Sequence, residues 1–138
     1  MKGRNSDSYQ LYTDGAARGN PGPAGAGAYI CRPDGDVVAE IALYLGETTN
    51  NVAEYQALLA GLRRLVELKA REVCIFADSQ LMVRQIEGQY RVKHPNLKPL
   101  FEEALALLKK IPHYTIGHID REQNFEADRL ANQAIDER

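Results

Sequence analysis

Basic residues are not in excess in this chain: 17 Lys and Arg stand against 19 Asp and Glu, a formal net charge of −2. That excludes a global electrostatic pull toward nucleic acid, so a polyanionic substrate has to be met by a local patch or by metal ions. Cysteine is scarce. Cys31 and Cys74 each lie inside an expected strand, lack the paired spacing of a zinc site, and read as small buried apolar residues. No apolar run approaches the length of a membrane span. The polar start, Met1–Asp7, has the character of a flexible terminus rather than a targeting signal. No repeat, linker or low-complexity stretch divides the 138 residues, so residues 1–138 are expected to form one domain of a cytoplasmic, monomeric protein.

What is present is a globular composition, 44% hydrophobic and 26% charged. Tyr9–Thr13, Ala26–Arg32 and Val37–Leu45 have β character and are separated by the turn chemistry of Arg18–Pro23 and Pro33–Asp36. Short turns predict an antiparallel meander. The period then changes: between Asn51 and Lys69, Leu58, Leu62 and Leu65 form a helical stripe, and Ala57 and Gly61 permit close approach to a sheet. Glu72–Ala77 is a short apolar run, predicted to be a strand buried on both faces. Ser79–Glu87 and Pro99–Lys110 read as helices, His113–Ile119 as a last strand and Phe125–Asp136 as a last helix. The order βββαβααβα predicts an α/β fold, a mixed five-stranded sheet with three antiparallel strands and then two parallel ones, flanked by helices.

Four acids stand in unusual contexts: Leu11-Tyr-Thr-Asp14-Gly, Asn50-Asn-Val-Ala-Glu54, Ile75-Phe-Ala-Asp78-Ser-Gln and Asn124-Phe-Glu-Ala-Asp128. Asp14 lies late in the first strand and Asp78 ends the fourth, where Asp is disfavoured unless paired or liganded. Glu54 and Asp128 fall in the first turn of their helices, where the dipole keeps an acid ionised. A second reading exists for Glu54: with Asn51 as N-cap and Glu54 at N3 it completes a capping box. Asp128 could likewise serve only the dipole. Taken together, the four favour convergence, and a cluster of hard oxygen ligands selects Mg²⁺ or Mn²⁺.

The motifs Tyr12-Thr-Asp14-Gly-Ala with Gly19-Asn-Pro-Gly-Pro, Thr48-Thr-Asn-Asn-Val-Ala-Glu54, Asp78-Ser-Gln, and Gly117-His with Asn124-Phe-Glu-Ala-Asp128 occur in an order that resembles the type 1 ribonuclease H family, from about Tyr9 to Ala134. The resemblance implies a ribonuclease H-like fold and hydrolysis of the RNA strand of RNA–DNA hybrids, leaving 5′-phosphate and 3′-hydroxyl ends. It implies two Mg²⁺ ions, with Mn²⁺ able to substitute, held by Asp14, Glu54, Asp78 and Asp128 in a two-metal displacement. By the same analogy Asp14 bridges both ions, Glu54 and Asp78 lie on the leaving-group side and Asp128 on the nucleophile side. His118 occupies the position of a mobile-loop histidine that assists proton transfer or product departure; the alternative is an exposed strand-end histidine held by its neighbours. His94 and His113 read as surface residues.

The resemblance also places Asn20, Asn51 and Gln80 near the hybrid, where amides suit a 2′-hydroxyl that both donates and accepts, and Thr49 near a DNA-strand phosphate. Asn20 and Asn51 have turn and N-cap chemistry as well. One departure stands out. Many bacterial members carry a long basic, Trp-rich insertion after the Asp-Ser-Gln helix, whereas this chain has no tryptophan and only a short segment with Arg84, Arg91, Lys93 and Lys98. A compact member with modest, salt-sensitive hybrid affinity is expected. Two further classes stay in view: a non-catalytic hybrid-binding module, disfavoured by the complete acidic set, and a DNA nuclease of similar fold, disfavoured by the Thr-Thr-Asn-Asn and Gly-Asn-Pro-Gly segments.

Overall fold

A computed structural model describes residues 7–138. Of the segment Met1–Asp7, expected to be flexible, residues 1–6 lie outside the described residues. The carbonyl of Asp7 accepts from the N–H groups of Arg71 (3.0 Å) and Glu72 (3.3 Å). The strands are β1 (Ser8–Ala17), β2 (Gly22–Cys31), β3 (Val37–Thr48), β4 (Glu72–Ala77) and β5 (His113–His118). The helices are α1 (Asn50–Glu67), α2 (Gln80–Ile86), α3 (Lys98–Leu108) and α4 (Phe125–Asp136), with a 3-10 turn at Arg121–Gln123. The sheet order is β3-β2-β1-β4-β5. β1, β2 and β3 pair antiparallel, and β4 joins β1 and β5 in parallel. This is the predicted mixed sheet, with β1 at its centre.

Alternation along β1 divides the sheet between two helical layers. Tyr9 and Leu11, with Val73 and Ile75 of β4 and Ala28 and Ile30 of β2, enter the main core. There they meet the α1 stripe: Leu58, Leu62 and Leu65 are fully buried, each worth roughly 1.5–3 kcal/mol on removal from water. Gly61 lies so close to the sheet that a Cβ there would fall 2.5 Å from Leu11 Cδ1. α4 covers the other face, over β1, β2 and β3. It approaches through Gly25 and Gly27, where a Cβ would lie 2.2 Å from the carbonyl oxygens of Ala131 and Ala127 respectively.

Three expectations change. β1 does not stop at Thr13, because its pairing with β2 continues through Asp14↔Gly27 to Ala17↔Ala24; the Gly- and Pro-rich segment that marks a turn also supplies the start of a strand. β4 is buried on one face only: Val73, Ile75 and Ala77 are buried, while Cys74 and Phe76 are half-buried, since among the described residues α4 lies chiefly over β1–β3. Cys31 is buried and both cysteines are free thiols. α1 is capped two residues earlier than Asn51, by Thr49, whose hydroxyl accepts from Val52 N. Glu54 is therefore in the second turn, and the Asn51–Glu54 capping box does not form. No helix among the described residues is long and apolar enough to cross a membrane.

Candidate metal centre

The parallel register of β1 and β4 ends on Thr13↔Ala77, so Asp14, inside β1, and Asp78, just past the carboxyl end of β4, follow side by side where the two strands part. Such strand ends are where open α/β sheets place functional groups. Glu54 arrives from α1 on the opposite face. It can do so because Gly15 has no side chain: a Cβ there would lie 2.3 Å from Ala53 C and Glu54 N. At that approach Gly15 N donates to Glu54 Oε1 at 3.1 Å, the bond that replaces the expected capping box. Asp14, Glu54 and Asp78 each bring one carboxylate oxygen within 4.8 Å of the others. Asp128, from α4, is not part of that trio but is near enough to Asp14 for its carboxyl group to raise the proton affinity of Asp14. The start of α4 is tied down beside it, Asn124 Nδ2 donating to the Thr13 carbonyl at 2.8 Å.

Two of these acids are buried as well as close, and Asp78 and Asp128 are half-buried. Asp14 is 2% and Glu54 9% exposed. Burial first, and then the negative charges of Glu54, Asp78 and Asp128, push the Asp14 carboxyl up to about 9. Burial and Asp78 push Glu54 up to about 8, against the lowering effects of the Gly15 N–H and Arg121. Asp78 Oδ2 is buried without a hydrogen-bond partner among the described residues. An orphaned carboxylate oxygen beside two proton-retaining acids is a site built for positive charge. The donor set is all oxygen, which fits a hard divalent cation.

The shifts carry a stability consequence. Both carboxyls keep a proton in the folded, metal-free chain at pH values where the unfolded chain has lost it. Stability contributed by these groups is therefore greatest in acid and falls as pH climbs from about 4.5 toward 8, the ordinary and folded values for Glu54. In a thermal-shift series with chelator, the melting temperature is expected to decline from pH 5 to pH 9. A divalent cation should restore it at pH 8 and do little at pH 5. A cation response equally large at both values would contradict a proton-retaining cluster.

Other predicted residues are only partly gathered. A cavity of about 290 Å³ at the carboxyl end of the sheet is lined by Glu54, Asp78, Asn51, His118 and Arg121, among others. Asn51 and His118 thus join the acids, and His94 and His113 are exposed elsewhere. Asn20 stands outside the cavity wall, with its Oδ1 accepting from Asn50 N at 3.0 Å. Thr49 serves α1 as cap, and Gln80 is exposed as the first residue of α2. Two residues of the site escaped sequence reasoning. Asn50 Oδ1 accepts from Ala17 N at 3.0 Å, stitching the β1–β2 turn to α1. Arg121 faces Glu54; its only sequence signal is a basic residue in the polar loop leading to Asp128.

A family model described as reverse transcriptase-like matches residues 12–134. Over 127 residues the chain is 46% identical to a bifunctional protein of Mycobacterium tuberculosis, covering 91% of this chain and 35% of that relative. The chain thus spans about a third of the length of the mycobacterial relatives it matches. It is 36% identical over 150 residues to a ribonuclease H of Pseudomonas syringae pv. syringae, covering 96% of this chain and 95% of that protein. Among solved structures, LC11-RNase H1 in complex with an RNA/DNA hybrid superposes with a TM-score of 0.88 at 45% identity, over 94% of this chain and 97% of that one.

Proposed function

The chain belongs to the type 1 ribonuclease H family, and on that premise we propose that it is a metal-dependent endonuclease hydrolysing the RNA strand of RNA–DNA hybrids, leaving 5′-phosphate and 3′-hydroxyl ends. The observation that carries this reading is the convergence of Asp14, Glu54 and Asp78 to within 4.8 Å, with Asp128 close enough to raise the proton affinity of Asp14. Two Mg²⁺ ions held by these four carboxylates, with Mn²⁺ able to substitute, would supply Lewis-acid stabilisation of the attacking and leaving oxygens. Four carboxylate charges balance two divalent ones, which would offset the burial and the repulsion that otherwise keep Asp14 and Glu54 protonated.

The side chains divide the remaining work. Gly15 N–H fixes the orientation of Glu54. The Arg121 guanidinium, on the same cavity wall, offers positive charge to a phosphate in a chain with little to spare. Hydrolysis forms a bond from water oxygen to phosphorus and breaks the bond from phosphorus to the 3′-oxygen, which ends protonated. His118 lines the cavity and is exposed, so a ring nitrogen can take up or deliver a proton there. Asn51 in the cavity wall suits a 2′-hydroxyl. Asn20, with Oδ1 already engaged, keeps its amide donors for the same purpose, and Gln80 presents donor and acceptor at the start of α2. The Thr49 hydroxyl accepts the helix bond yet retains its own O–H for a DNA-strand phosphate.

The test is cleavage of labelled RNA–DNA hybrid, duplex DNA and duplex RNA with Mg²⁺ or EDTA. Cleavage of the hybrid alone, abolished by EDTA, is expected. Binding without cleavage would make the protein a hybrid-binding module, and comparable cutting of duplex DNA would make it a different nuclease.

A further inference from the structure

The β1–β2 turn and α4 are joined by a run of polar side chains that ends on Asp128. Arg18 Nη1 pairs with Asp136 Oδ1 at 2.7 Å. Arg18 Nη2 donates to Asn132 Oδ1 at 3.3 Å. Asn132 Nδ2 in turn donates to the Asp128 carbonyl at 3.0 Å and to its carboxylate Oδ1 at 3.3 Å. Asp128, Asn132 and Asp136 recur at four-residue spacing and so share one face of α4. Arg18 reaches that face from the turn, where its own N–H donates to the Pro23 carbonyl at 2.9 Å.

The polarity of this run is what gives it a use. A guanidinium has donors only, so it can donate to the amide of Asn132 in one sense, with the carbonyl oxygen turned toward Arg18. The amino group is thereby turned toward Asp128. Asp136, held well on the charged side by Arg18, anchors the guanidinium from behind. With Oδ1 engaged by Asn132, the Asp128 carboxylate cannot rotate freely while it meets Asp14. Partners of this kind, which hold a ligand's orientation, typically change metal affinity or activity by roughly 10–100-fold when removed.

We propose that Asn132, oriented by Arg18, is a positioning residue for Asp128 that sets its carboxylate toward Asp14 for metal binding and turnover. The inference rests on the nuclease reading for its kinetic part and on the geometry alone for its binding part. The turn that carries Arg18 also carries Asn20, and it is stitched to α1 through Asn50. The same device therefore ties the segment proposed to meet the 2′-hydroxyl to the acid on α4.

The experiment compares wild type with Asn132→Leu, which keeps the volume and removes the amide, and with Arg18→Met, which keeps the stem and removes the charge. Hybrid cleavage is followed as kcat and KM. Separately, Mn²⁺ is titrated against the melting temperature, with no substrate present. Asn132→Leu should lower kcat by about tenfold, leave KM unchanged and raise the half-saturating Mn²⁺ concentration. Arg18→Met should shift the same two quantities less, and add nothing in the Asn132→Leu background. Arg18 is exposed, so its replacement keeps the test alive even if Asn132→Leu folds poorly. Wild-type kcat and Mn²⁺ response in both variants would overturn the proposal while leaving the nuclease reading intact. A rise in KM alone for Arg18→Met, additive with Asn132→Leu, would make Arg18 a phosphate contact and overturn its orienting role. If wild type itself fails to cleave hybrid, the nuclease reading fails, and the Mn²⁺ titration still decides the positioning.

Discussion

Asp14→Asn is expected to lower hybrid cleavage by on the order of 10³-fold, the scale of removing one preorganised electrostatic group from a transition state, while the metal-free protein melts at or above the wild-type temperature. The two effects have one cause. Asp14 is 2% exposed, and its carboxyl is pushed up to about 9 by burial and then by Glu54, Asp78 and Asp128. Asparagine has nearly the same shape and no charge, so the pleat of β1 is undisturbed and the repulsion on Glu54 and Asp78 is lifted. The gain in melting temperature should grow with pH, because the wild-type acids lose their retained protons only in alkali. A matching rise in the cation needed for half-maximal thermal shift is expected. A substantially lower melting temperature in the metal-free variant would identify Asp14 as a structural residue. Turnover near the wild-type rate would remove it from the catalytic set.

Gly15→Ala should be nearly as damaging to activity and, unlike Asp14→Asn, should also destabilise the fold. The added Cβ would lie 2.3 Å from Ala53 C and Glu54 N. Those are backbone atoms of α1, which cannot rotate aside. The helix has to move off β1, at a cost of about 1–3 kcal/mol by analogy with overpacked cores. That movement lengthens the 3.1 Å bond from Gly15 N to Glu54 Oε1 and draws one oxygen of the trio away. A misplacement of about 1 Å in a reacting constellation costs about 10²-fold in rate. Gly117→Ala is the control: it neighbours His118, and a Cβ there meets nothing within 4 Å, so melting temperature and kcat should stay near wild type. Wild-type values for Gly15→Ala would mean that the contact between β1 and α1 relaxes without moving Glu54.

The two central carboxylates also show how far local sequence reaches. The run Glu72–Ala77 and the helix Phe125–Asp136 were both legible to the residue, because apolar run length and helical periodicity are properties of a few consecutive side chains. Thr49, not Asn51, caps α1; both are good caps, and the choice depends on where β3 releases the chain. The continuation of β1 to Ala17 was hidden because its cause lies in β2, which supplies partners down to Ala24. Arg121 gave no pattern at all, since one basic residue in a loop has no period and gains meaning only when the loop folds beside Glu54.

By itself, the sequence determined the order of elements and the main core stripe of Leu58, Leu62 and Leu65, and it singled out the four acids as candidates, all of which are encoded within single turns or strands. Only the tertiary structure decided which of their oxygens meet, that Glu54 is held by Gly15 rather than by a capping box, and that Asp128 is reached through Asn132 and Arg18. It also decided their proton affinities. Burial and mutual repulsion act over a few ångströms between side chains from β1, α1, β4 and α4, and those separations do not exist until the sheet and both helical layers have packed.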